Sequence, residues 1–338
     1  MLTRRLYALC CAAALCSILV AARLHHPVQV CPGFLPPNNL RIPLTLEQVG
    51  GLNEAQFNAV LDRIEANYGP IIAAHGGTLK INRLWEDATV NASANRQGST
   101  YVLNMYGGLA RHQAMTQDGF ALVACHEMGH HLGGYPKVGW LINIGWLGSS
   151  WASNEGESDY FANLKCMRRM FADPATAGFT RLPADNEVAR QACATFQSEQ
   201  DQAVCMRNAT AGVSVTAVFQ DLHHDAKPPQ FDTPDSRVVK HTDNAHPATQ
   251  CRLDTYLQGA LCAKPVSEEM GDKSPEPGSC TRSQGYELGL RPLCWYKPPK
   301  SEPQRLTNIA AKAPQVREAL LKSAAFQALE NQSSWQGL

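Results

Sequence analysis

The amino-acid sequence predicts an α+β fold, mainly helical, with a small antiparallel sheet. Three observations carry that reading. Apolar residues recur at helical spacing in several separate stretches, short β-branched and aromatic segments cluster between residues 78 and 105, and a helix opening near Thr116 follows that cluster directly. With 338 residues the chain can form two modest domains or one larger domain with appendages.

From the N-terminus, Arg4-Arg5 precedes an apolar stretch of about 17 residues, Leu6 to Ala22, ending in the compact run Val20-Ala21-Ala22. This reads as a cleaved export signal over residues 1–22, with an uncleaved membrane anchor as the alternative. A Pro-rich segment fills 23–44. Thr45 to Tyr68 is predicted helical from Phe57, Val60, Leu61 and Ile64, and to end at Gly69-Pro70. Three strands follow within Leu79–Trp85, Ala88–Ala92 and Ser99–Asn104, reading as a small antiparallel sheet ahead of the next helix. That helix spans Asp118 to Leu132, stopped by Gly133-Gly134 and Pro136. A second is expected from Ser153 to Phe171, then a helical pair with Cys193 and Cys205, a polar loop from Lys227 to Pro247, and a helix from Ala248 to Ala263. Residues 45–263 form the expected main domain. Lys264 to Pro303 reads as irregular or a small hairpin, and a helix from Pro314 to Glu330 lies in the tail, residues 304–338.

Thirty basic and thirty acidic residues cancel, and the basic ones are scattered, which argues against a nucleic-acid partner. Cleavage of the signal leaves nine cysteines, an odd number: Cys31, Cys125, Cys166, Cys193, Cys205, Cys251, Cys262, Cys280 and Cys294. Export makes disulfides plausible, and the short separations suggest Cys193 with Cys205, Cys251 with Cys262 and Cys280 with Cys294.

His126-Glu127-Met128-Gly129-His130 places two histidines four apart on a predicted helix. Positions four apart are turned by about 40°, so both imidazoles can reach one metal ion. Glu127 then lies beside that ion, where it can take a proton from water and later deliver it to a leaving amine. Zinc suits such a set, because two imidazoles and one carboxylate leave a position open. The third ligand is assigned to Glu155, which opens the next helix with Asp159 four residues on, placed to accept a ring proton from a ligand histidine. Glu157 is the competing ligand, and an acidic first turn complementing the helix dipole is the plain alternative. His131 is turned about 140° from His126 and is left out of the set.

These residues resemble the gluzincin zinc peptidases of the family that contains the CAAX prenyl proteases, HtpX and BepA, peptidase family M forty-eight. Four blocks match in order: Val90-Asn91-Ala92 with Ser99–Val102 and Gly107-Gly108-Leu109; Cys125 to His130; Glu155 with Asp159; and His246-Pro247 with Arg252. Together they span about half the chain. The resemblance implies a zincin-like metallopeptidase domain, one catalytic zinc ion and a protein or peptide substrate that lies extended along an edge strand, here around Ser99 to Met105 and preceding the helix of His126 and His130. It also implies an oxyanion-stabilising histidine, by position His246, with Arg252 ordering the site. His223 and His224 are rivals for that task. The run Asn154-Glu155 with Ser158-Asp159 is also the wording of the thermolysin-like peptidases, which stand as the runner-up.

Trp140, Trp146 and Trp151 lie between the two metal helices. They read either as a flap or patch making peripheral contact with membrane or an envelope protein, or as ordinary burial. The functional classes are therefore an exported zinc endopeptidase, a zinc-stabilised binding or chaperone-like module without catalysis, and a structural envelope protein.

Overall fold

The computed structural model describes residues 29–30, 33–44, 50–138, 150–172, 187–223, 227–300 and 302. The expected signal, Cys31, Trp140, Trp146, His224 and the expected C-terminal helix lie outside these residues.

Helix α1 (Glu54–Ala74) begins with a reciprocal cap, in which Asn53 Oδ1 accepts from Gln56 N–H and Gln56 Oε1 accepts from Asn53 N–H. It buries Phe57, Val60, Leu61, Ile64, Tyr68 and Ile72. The expected stop at Gly69-Pro70 is passed. Pro70 removes one helical hydrogen bond, but Ile72 continues the buried stripe one turn beyond Tyr68, and its burial outweighs that loss.

Strands β1 (Gln29–Val30), β2 (Thr78–Leu84), β3 (Ala92–Gln97) and β4 (Thr100–Tyr106) form one sheet in the order β1-β3-β4-β2. β3 and β4 are an antiparallel hairpin turning at Gly98, whose φ is 59°, while β2 pairs parallel with β4. The expectation of an antiparallel sheet with an edge strand at Ser99–Met105 is therefore corrected: the sheet is mixed, and β4 is interior. The physical reason is pairing on both sides: β4 bonds to β3 along Thr100–Met105 and to β2 along Thr100–Tyr106, so its backbone groups are already used and offer no free edge. The edge facing away from β2 belongs to β3, partly paired by the two-residue β1.

A short turn of helix, α2 (Gly107–Ala110), leads to α3 (Gln117–Leu132), capped by Thr116 Oγ1 accepting from Gly119 N–H at 3.0 Å. Every residue of α3 from Gly119 to His131 is buried, because the sheet, α1 and later helices surround it. Helix α4 (Glu155–Phe161) runs into a π-helical stretch (Ala162–Met167) and a last turn (Arg168–Met170). Helices α5 (Glu187–Cys193), α6 (Glu199–His223) and α7 (Thr249–Leu261) complete the helical layer, with α6 packed on both α3 and α7.

The segment after α7 is irregular apart from a 3-10 turn at Arg282–Gln284, yet it is well packed. Trp295 is fully buried, and its indole N–H donates to Thr255 Oγ1 at 3.0 Å. A Cβ at Gly156 would meet that indole at 2.2 Å, so the glycine lets the segment close onto α4.

Four disulfides form among the described residues: Cys125–Cys166, Cys193–Cys205, Cys251–Cys294 and Cys262–Cys280. Only the Cys193–Cys205 expectation holds. Cys251 and Cys262 stand near opposite ends of α7, about 16 Å apart along the axis, and cannot meet. Four such bonds belong to an oxidising, extracytoplasmic compartment. No helix of the described residues is long and apolar enough to cross a membrane.

Candidate metal centre

The centre forms where α3 and α4 cross. Gly129, between the two histidines, sits so close to α4 that a Cβ there would lie 2.8 Å from Ser158 Cα. The Cys125–Cys166 disulfide fastens the residue before His126 to the π-helical stretch that follows α4, with Cα atoms 5.4 Å apart.

His126 Nε2 lies 3.3 Å from Glu155 Oε2, and His130 Nε2 lies 3.6 Å from Glu155 Oε1. Neither nitrogen and neither oxygen has a hydrogen-bond partner, although all are buried. Ligand atoms about 2.0–2.2 Å from a tetrahedral ion stand roughly 3.4 Å from one another, so these residues fit a zinc-sized cation. Leaving such groups buried and unmatched would be costly, which gives the same answer from energetics.

The far side of each imidazole sets its tautomer. His130 Nδ1 faces Ser153 O at 2.8 Å, and a carbonyl can only accept, so Nδ1 carries the proton and Nε2 presents its lone pair to the centre. His126 Nδ1 lies 2.7 Å from Asp159 Oδ1 and is held in the same way. That carboxylate oxygen also accepts from Arg252 at 2.6 Å and from Tyr256 O–H at 2.8 Å. Asp159 and Arg252 thus stand behind the histidine.

Electrostatically the cluster favours a positive charge. Burial opposes a charge on His126, but the carboxylates of Asp159 and Glu155 outweigh it and raise its pKa to about 9. For Glu155 burial acts upward, and the neighbouring His130 and His126 overcome it, lowering the carboxyl to about 2. Burial pushes His130 down to about 4. A proton on His126 or a metal cation at its Nε2 meets the same demand.

Glu127 is fully buried, and neither carboxylate oxygen has a partner; burial pushes its pKa up to about 8. Glu157, the competing ligand, turns away from the centre. It receives Arg291 through both oxygens, at 2.5 and 2.7 Å, inside the protein. His131 also points elsewhere, with Nε2 3.3 Å from Val102 O and the ring stacked on Trp151 at 4.7 Å. Trp151 is thus packed on the far side of α3, where a cavity of about 560 Å³ lined by Arg96, Tyr101, His131 and Trp151 includes none of the centre's residues.

His246 comes to the centre on the loop before α7. Its Nε2 is 3.5 Å from Glu155 Oε2 and 2.8 Å from Gly33 O. Asn154, which caps α4 through Glu157 N–H, also donates to Asp243 O and Asn244 Oδ1, tying this loop to α4. The rival His223 stands instead beside Thr249 at 3.4 Å. Sequence reasoning missed Tyr256, Ser153 and Arg291. Tyr256 lies four residues after Arg252 on α7, and that helical spacing is the one signal that could have found it.

A second group that could hold an ion, Asp235 with Cys251 and Cys294, contains the sulfurs of a disulfide and offers no thiolate. No protein-family model, no curated protein and no solved structure matches the chain.

Proposed function

We propose that this chain is an exported zinc-dependent endopeptidase, with zinc held by His126, His130 and Glu155. The observation that carries the reading is the convergence of four buried, unpartnered ligand atoms beside an unpartnered Glu127. Bound zinc supplies Lewis acidity and makes water acidic enough to ionise near neutral pH.

The chain's own residues supply the rest. Glu127 accepts the proton of the attacking water and passes it to the amine nitrogen as the peptide bond breaks. A cation beside Glu127 favours its ionised form, opposing the rise that burial alone produces. His246 Nε2–H donates to the carbonyl oxygen as negative charge develops there. Asp159, steadied by Arg252 and Tyr256, holds His126 in the tautomer that leaves Nε2 free.

Metal analysis and casein hydrolysis on wild type beside Glu127→Gln test the reading. One zinc per chain is expected in both, with hydrolysis reduced at least about 100-fold in the variant. Equal activity in the two would sink the mechanism.

One observation favours a second reading. His126, Glu127 and His130 are fully buried, and such enclosure also suits a zinc-stabilised binding module. In that case zinc is present, wild type cleaves nothing, and partner binding survives Glu127→Gln.

A further inference from the structure

The outer edge of β3 runs past the metal centre, and the chain itself occupies it. Gln29 and Val30 pair antiparallel with Arg96 and Asn95. Further along the same edge, Phe34 N–H donates to Ala92 O at 2.9 Å and Leu35 N–H donates to Asn91 Oδ1 at 2.9 Å. Asn91 returns a bond from its amide to Leu35 O at 3.2 Å. Asn91 thus grips both backbone groups of one residue, a recognition that any extended peptide could satisfy.

The same segment uses the catalytic-side groups. Gly33 O accepts from His246 Nε2 at 2.8 Å, the donor assigned above to the carbonyl undergoing attack. The Phe34 ring stands edge-on to His126 with centroids 4.9 Å apart, and Arg252 lies against the Phe34 ring and carbonyl. Phe34 and Leu35 are fully buried, whereas Pro37, Asn39, Leu40 and Arg41 just after them are exposed.

We propose that Gln29–Val30 and Gly33–Leu35 are a resident strand that occupies the peptide-binding edge of β3 and keeps the metal centre closed, so that substrate enters only when this strand is displaced. The inference rests on the endopeptidase reading and adds its regulation. Three features agree on it: backbone pairing along the edge, the His246 donor engaged by a main-chain carbonyl, and burial of His126, Glu127, His130 and Glu155 in a site that must meet water and peptide to work. Displacement is structurally local. Beyond the exposed stretch the chain is held again, by Ile42 N–H to Ala88 O and by Arg111 to Ile42 O.

The test uses the full chain loaded with zinc, carrying Glu127→Gln and a site-specific protease recognition sequence inserted between Asn39 and Leu40. Affinity for the hydroxamic acid of N-blocked Gly-Leu is measured before and after cutting, with mass spectrometry following the released fragment. A parallel protein adds Phe34→Ala to ease release. At least tenfold tighter binding after release is expected, reversed by a synthetic peptide of residues 23–39. Equal affinity with the fragment gone overturns the proposal. So does a fragment that stays bound in both proteins without a gain in affinity, or loss of zinc and of helical circular dichroism on release, which would make the strand permanent core. The cut chain with Glu127 intact is assayed on casein alongside. A tenfold gain in hydroxamate affinity without any hydrolysis would sink the peptidase reading and leave the occupancy standing. Absence of zinc from both forms would remove both.

Discussion

His126 and His130 face the centre with Nε2 because their Nδ1 atoms are committed to Asp159 and to Ser153 O. In Asp159→Asn the carboxylate that orients His126 is lost, and Arg252 keeps a buried charge without its counter-ion. Zinc affinity is expected to fall about 10–100-fold by competition with a chelator; unchanged affinity would mean that His126 is oriented by something else. Glu157→Gln separates the two candidate carboxylates. Because Glu157 neutralises buried Arg291, the substitution is expected to cost about 3–5 kcal/mol of stability in urea unfolding while leaving one zinc per chain. Loss of stoichiometric zinc there would return Glu157 to the ligand set.

Between elements, the Cys125–Cys166 bond closes a loop spanning 41 positions and fastens α3 to the π-helical stretch that follows α4. Replacing both cysteines by alanine is expected to remove about 2–4 kcal/mol of stability, seen as a lower Tm in calorimetry. The packing of α7 on the preceding loop carries a pH dependence. Burial raises the Asp254 carboxyl to about 7, even though Asp235 N–H and Gln250 donate to it. A carboxyl whose folded pKa lies above its unfolded value binds its proton more tightly when folded. Its favourable contribution is full below about pH 4 and is lost as pH rises through about 7. Urea midpoints should therefore decline between those limits, and Asp254→Asn should flatten that part of the profile. An identical slope in the variant would assign it to another group.

At the scale of the whole molecule, the apolar core and the disulfides do not depend on the metal, since the main cluster runs from Phe34 through α1, the sheet, α3 and α6. Chelated protein is expected to stay folded, with near-UV circular dichroism preserved. Zinc at about 1,000 times its Kd should add about 4 kcal/mol by mass action, raising Tm in a concentration-dependent way. A chelated form without near-UV signal would show that the metal is part of the folding nucleus, as in small zinc domains.

Local spacing was enough to nominate the centre. His126 and His130 share a helical face by four-residue periodicity, and Glu155 with Asp159 repeats that relation on the next helix, so their alignment follows from helix geometry alone. The same logic, applied to Cys251 and Cys262, would have excluded their pairing. What periodicity could not supply was long-range pairing. The parallel docking of β2 on β4, the partnership of Glu157 with Arg291, 134 positions away, and the meeting of Gly33 with His246 depend on which surfaces the core brings together. Strand order is especially hidden, because period-two patterning specifies a face and not a neighbour. The sequence by itself therefore determined which residues could hold a metal and roughly where the helices lie. Only the tertiary structure decided that β4 is interior, that β3 presents the edge beside the centre, and that the chain's own N-terminal strand lies along it. Side-chain spacing is a local property, whereas edge and interior are properties of the assembled sheet.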